Sequence, residues 1–200
     1  MRRPTTALLF IVALAVSMPA VAAEPRTVAG KTLDQWSRQL ESRDRPSRLV
    51  AVVTLRQFGP DAVDPLLAAV ASPDEGVRFW AVSTLGDFAA DVRQRGQAPA
   101  LVKLLDDLIA HDTTSVRLAA AYARCRLGTS QQALKILAEA LSSEQRGVCV
   151  TAADDLAAIG PNAAGAIDAL KKATGHADYH VADSARRALW AVQGESPPEN

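Results

Sequence analysis

The chain has 200 residues, 48% of them apolar and 4% aromatic, with 22 basic side chains against 22 acidic ones and two cysteines. That much apolar content excludes a disordered chain, and a formal charge of zero with no block of like charges excludes the electrostatic footprint that phosphate neutralisation needs, so no nucleic-acid partner is expected. Two cysteines away from zinc-ligand spacing supply neither a disulfide scaffold nor a metal-nucleated fold, which leaves a hydrophobic core to do the folding.

In chain order, Arg2 and Arg3 precede an apolar run from Ala7 to Val16, followed by Pro19 and the small residues Ala20 to Ala23. The run is shorter than the roughly 20 residues of a bilayer span, and Ala20 and Ala22 form an A-x-A site. Residues 1–23 are therefore expected to be a signal peptide cleaved after Ala22 or Ala23, giving a periplasmic or secreted protein with no membrane attachment afterwards. Pro19 sits where an uncleaved anchor would have to continue, and no cysteine lies near the cleavage point to carry a lipid. Loss of Arg2 and Arg3 leaves a mature charge of −2. Residues 24–30 read as a linker.

Thr32-Leu-Asp-Gln is a capping box that opens a cap helix over 31–42, with Leu33, Trp36 and Leu40 at helical spacing. One register then recurs five times, with Ser47, Val77, Val116, Val148 and Val181 as position zero. Four positions on stand Ala51, Ala81, Ala120, Ala152 and Ala185. Eight on are Leu55, Leu85, Arg124, Leu156 and Leu189, and eleven on are Phe58, Phe88, Leu127, Ile159 and Val192. Offsets of 0, 4, 8 and 11 make one stripe of an α-helix and cannot share a face of a strand. Each block thus opens with a helix, and the invariant Ala lets a second helix approach closely. Arg124 breaks the stripe, its stem packing while its head reaches solvent.

Gly59, Gly128 and Gly160 follow at position twelve, where left-handed dihedrals close a helix, and Pro60 and Pro161 forbid continuation. Second helices begin after that break, with stripes Val63, Leu66, Leu67 and Val70; Leu101, Leu104, Leu105 and Leu108; Leu134, Leu137 and Leu141; and Ala163, Ile167 and Leu170. Pro65 and Pro99 fall near the starts of two of them. Polar turns close the units at Ser42–Asp44, Ser72–Asp74, His111–Thr114, Ser142–Gln145 and Gly175–Asp178. Successive zeros are 30, 39, 32 and 33 residues apart, the length of a helix pair in an α-solenoid. Positions 181–193 form an unpaired first helix, and residues 194–200, with Pro197 and Pro198, read as a disordered tail. No strand is predicted.

The string Val77-Arg78-x-x-Ala81-x-x-x-Leu85-Gly86, the string Gly160-Pro161-x-Ala163-Ala164, and Arg48, Arg78 and Arg117 at position one resemble HEAT repeats, in particular the short bacterial type also found in phycobilisome lyases. The resemblance covers residues 31–193. It implies an all-α, HEAT/armadillo-like solenoid, a right-handed superhelix of antiparallel helix pairs, and speaks to fold more than to activity. Cys149 and Ala182 stand where the Arg is expected, which interrupts an Arg ladder in the last two units.

Candidate chemistry is sparse. His176, Asp178 and His180 could share a metal only on one helical turn, and the register puts them in an inter-unit turn, as it does His111. Cys125 and Cys149 lie at positions nine and one of neighbouring first helices, about 12 Å apart along the axis at 1.5 Å per residue, so two free buried thiols are expected unless the stack is strongly skewed. The pairs Asp106/Asp107 and Asp154/Asp155 diverge by about 100° around a helix. No phosphate loop or nucleophile elbow occurs, so no catalytic residue, cofactor or metal is expected.

The longest unit carries an insertion over 89–99 with Arg93 and Arg95, either a partner-binding loop or a neutral excursion. Phe79 and Trp80 lie off the core stripe and either pack between units or present an aromatic anchor. These four residues are the candidate protein-binding residues. The expected function is an exported, monomeric scaffold or adaptor that holds a protein partner on its second-helix face, which bears Lys103, Lys135, Glu139, Asp168, Lys171 and Lys172. Two alternatives remain: a lyase- or chaperone-like accessory, implied by the bilin-lyase resemblance, and a purely structural part of a periplasmic assembly.

Overall fold

The computed structural model describes residues 25–128 and 130–195. The expected signal peptide, and the expected tail beyond Glu195, lie outside those residues. The described chain is a stack of helix pairs. The cap helix α1 (Leu33–Gln39) leads into the first helices α2 (Arg45–Leu55), α4 (Glu75–Asp87), α7 (Thr114–Leu127), α9 (Arg146–Ile159) and α11 (Tyr179–Gln193). Between them lie the second helices α3 (Val63–Ala69), α6 (Ala98–His111), α8 (Gln131–Ala140) and α10 (Ile167–Ala173), with α5 (Ala89–Gln94) inside the insertion. First helices stack on one another in chain order, and each second helix packs on the first helix that follows it. This is the all-α solenoid of antiparallel pairs that the register predicts.

The small residue at position four decides the stack. Ala51, Ala81, Ala120, Ala152 and Ala185 are all fully buried, as are Leu55, Leu85 and Leu156 one turn on. Each of these leucines contributes on the order of 2 kcal/mol by leaving water. Arg124 takes the fourth such place with its side chain 22% exposed and Nε 3.3 Å from Asp106, so its stem packs and its head meets solvent.

The two ends of the first helices are held by different devices. Asp44, Asp74 and Asp178 cap α2, α4 and α11 by accepting first-turn amides. Gly59 and Gly160 adopt φ near +66° and break the backbone before Pro60 and Pro161, within the short 3-10 segments Arg56–Ala62 and Gly160–Ala166. Gly128 corrects the expectation for its class: its φ is 167°, extended backbone. No proline follows it, and the chain runs out to Ser130, which caps α8.

A second correction concerns the linker. Thr27–Val28 (β1) pairs antiparallel with Lys31–Thr32 (β2), turning through Ala29 and Gly30, both at positive φ. Trp36 on α1 fixes this hairpin by donating Nε1–H to the Val28 carbonyl at 2.9 Å. The Thr32 capping box is present in both arms.

Candidate functional site

Position one of the first helices carries a clasp between units. Arg48 donates to the Ser42 carbonyl in its own turn and to Asp74, the cap of the next unit, at 2.8 Å. Arg78 repeats this, donating to the Ser72 carbonyl and in bidentate fashion to Asp112, both bonds 2.8 Å. The Arg78 hydrogen bond is the main reason that the Asp112 carboxyl sits below its usual range. Burial pushes Asp74 the other way, but Arg48, Arg45 and the Gly76 amide outweigh it and hold that carboxyl low as well. The ladder stops at the third unit. Arg117 turns to the Ile109 carbonyl, and the fourth unit offers Gln145, not Asp, at its cap. Cys149 then takes the Arg place and reaches only its own turn, 3.1 Å from the Ser143 carbonyl.

Helices α7 and α9 pack more loosely than α4 with α7 or α9 with α11, as α2 and α4 also do despite their clasp. A groove of about 390 Å³ runs over the first turns of α4, α7 and α9, walled by Phe79, Leu118 and Val148 with the hydroxyls of Ser115 and Thr151 between them. Arg45 and Glu75 give its rim one charge of each sign. Beside it the Trp80 ring meets Phe79 edge-on at 5.3 Å. Trp80 is 39% exposed, and Val50 and Val53 on the adjoining α2 are 52% and 42% exposed. A second concavity of about 590 Å³ lies between α1 and α3, lined mainly by small residues and prolines.

The four candidate residues therefore divide into two pairs. Phe79 and Trp80 form the aromatic edge of the groove. Arg93 and Arg95 lie on α5 and just after it, where Val92 is fully buried, so the insertion is packed against the stack. Arg93 donates to the carbonyls of Arg126 and Leu127 at the end of α7, and Arg95 pairs with Asp64 at 3.5 Å. Arg26 does the same for the 3-10 turn after α2 and Arg126 for the end of α9, so the Arg93 contact is a recurring carbonyl cap. On the second-helix face Lys135 and Glu139 pair with each other, and the charges stand apart in solvent.

Both cysteines are free and buried, and burial pushes Cys125 up to about 11 and Cys149 upward too, so neither is poised as a thiolate. His176 accepts from the Asp178 amide in an exposed turn, with no helical pairing to His180. Among the described residues, no group of three or more His, Cys, Asp or Glu is placed to hold a metal, and no helix is long and apolar enough to cross a membrane.

Residues 33–123 match the family model for HEAT repeats. The matched residues are similar to HEAT repeats. No curated protein matches the sequence. Among solved structures it is similar to the CpcE–CpcF complex of phycocyanin lyase from Nostoc sp. PCC7120, at 24% identity and a TM-score of 0.56 over 88% of this chain and 71% of that one. It is also similar to a designed armadillo repeat protein in complex with the peptide (KR)4, at 21% identity and a TM-score of 0.51 over 80% and 81% of the two chains. An engineered protein at 22% identity has a TM-score of 0.50 over 81% and 79%. At these identities the likeness shows the fold alone, a solenoid of helical repeats.

Proposed function

We propose that the chain is an exported adaptor that seats an extended segment of a partner protein in the groove over α4, α7 and α9. The observation that carries this is the Phe79–Leu118–Val148 groove together with the exposed Trp80, whose ring packs edge-on against Phe79. Monomeric proteins rarely leave adjoining aromatic and aliphatic side chains in water without a use for them. The wall chemistry selects the ligand: an aliphatic or aromatic side chain between Phe79 and Leu118, and main-chain groups within reach of the Ser115 and Thr151 hydroxyls. One Arg and one Glu on the rim favour a segment of low net charge. The designed armadillo repeat protein, crystallised with a peptide, supports the capacity of this fold to hold an extended chain. The docking face thus moves from the second helices to the first.

Peptide display against the mature chain, counter-selected on a Trp80→Ala/Val53→Ser variant, tests the groove. Enrichment of peptides with an apolar anchor that bind the variant at least tenfold more weakly is expected. Failure to enrich any peptide that distinguishes the two overturns the reading. Export is tested separately by N-terminal sequencing of the protein from its source, where a start at Ala23 or Glu24 is expected and a start at Met1 refutes it.

A further inference from the structure

Position seven of every first helix is an inter-unit position kept for small, uncharged residues: Thr54, Thr84, Ala123 and Ala188 are all buried there. In α9 the same position is Asp155, one turn beyond the groove residue Thr151, as Tyr122 is one turn beyond Leu118 on α7. Asp155 Oδ2 is buried without a hydrogen-bond partner. It lies in a seam that lacks the Arg–Asp clasp.

The charged groups around it are all committed elsewhere. On α7, Arg126 donates to the Ala158 carbonyl at 2.6 Å, Arg124 turns to Asp106, and the Tyr122 hydroxyl donates to Asp87 at 2.6 Å. Arg56, just after α2, pairs with Asp87 on α4 at 3.0 Å. On α11, Arg187 serves Asp183 at 3.3 Å and the exposed Asp154 at 3.9 Å, and Arg186 also goes to Asp183. Lys135 and Glu139 of α8 pair in solvent, and Gly160–Ala166 contains no titratable side chain. Cys125, the remaining titratable neighbour on α7, is a neutral buried thiol. No cation answers the Asp155 carboxyl, and Asp154 and Asp87 add like charge.

We propose that Asp155 makes the α7–α9 seam a proton-controlled joint: the neutral carboxyl lets the seam close, and its ionisation opens the seam and with it the groove above. This rests on the groove's being the docking site, whose occupancy the joint then regulates. Burial, followed by Asp154 and Asp87, raises the Asp155 carboxyl to about 8, whereas an opened seam returns it to the ordinary carboxylate range. Between those limits the closed form holds a proton that the open form releases, so opening becomes about tenfold more favourable per pH unit and levels off above pH 8.

Hydrogen exchange of the ligand-free mature chain at pH 5, 6 and 7, corrected for intrinsic exchange chemistry, reads the joint directly. Protection in α7 and α9 is expected to fall about tenfold per unit and to lie below that of α2 and α4 at each pH. Asp155→Asn, and Asp155→Leu should the amide variant fold poorly, should make α7 and α9 independent of pH. A flat wild-type profile, a slope that survives both substitutions, or protection in α7 and α9 no lower than in α2 and α4 overturns the proposal. Peptide capture plays no part in this measurement, so a joint without capture sinks the docking reading alone, and capture with pH-flat exchange sinks the joint alone.

Discussion

Two glycines in first helices ought to respond to the same substitution with opposite signs. A Cβ built on Gly86 of α4 would stand 2.7 and 2.8 Å from Tyr122 ring carbons and 3.0 Å from the Ala123 Cα. Neither neighbour can give way easily: Ala123 is backbone in the adjoining helix, and the Tyr122 ring is 4% exposed with its hydroxyl tied to Asp87. Replacing a helical Gly by Ala gains about 1 kcal/mol from propensity, but overpacking a rigid seam costs about 1–3 kcal/mol. Gly86→Ala should therefore lose about 1 kcal/mol net, a fall of roughly 2–4 °C in Tm for a chain of this size. Gly147 in the first turn of α9 is exposed and a Cβ there would meet nothing within 4 Å, so Gly147→Ala should gain about 0.5 kcal/mol. Urea unfolding followed by circular dichroism gives both midpoints, and Tyr122→Leu in the Gly86→Ala background should recover part of the loss through a favourable coupling of at least about 0.5 kcal/mol. A Gly86→Ala midpoint at or above wild type would show that α4 and α7 are not in the close contact on which the stack depends.

The clasp and the buried groups give three more expected outcomes. Arg78→Ala leaves Asp112 without its bidentate partner and should cost on the order of 2 kcal/mol in urea unfolding. Because the folded Asp112 carboxyl is held below its unfolded value, that stabilisation is full above about pH 4 and is lost as pH falls, so the variant should show a shallower acid limb than wild type. Asp155 has the opposite sign: its raised carboxyl makes wild type lose stability as pH rises from about 4 to about 8, by up to about 1.4 kcal/mol per unit, and Asp155→Asn should remove that slope in denaturation at pH 5 and 7. Cys125 and Cys149 should react with a disulfide reagent in the folded chain at least tenfold more slowly than in urea, and equal rates would contradict their burial.

What was legible in the sequence was whatever recurs. The Ala at position four, the Leu at eight and the Asp caps each appear several times, so the register averages away local accident and reports the stack itself. Single-copy features were not. The hairpin at 27–32 has two residues per strand, too few for alternation to register, and only Ala29-Gly30 hints at its turn. Arg93 looked like a free cation in an insertion because its partners are carbonyls at the end of the next first helix, which no side-chain pattern announces. Asp155 is the instructive case. Taken with Asp154 it is one of two diverging carboxylates, but carried down the column of the repeat it stands beneath Thr54, Thr84 and Ala123 and above Ala188, all buried. A charged residue in a column otherwise small and uncharged marks a seam where the repeat departs from its own rule. That seam is one of two without the Arg–Asp clasp, and the groove lies over it. The departures from periodicity, read against the register that defines them, therefore locate the candidate site more closely than any motif in the chain.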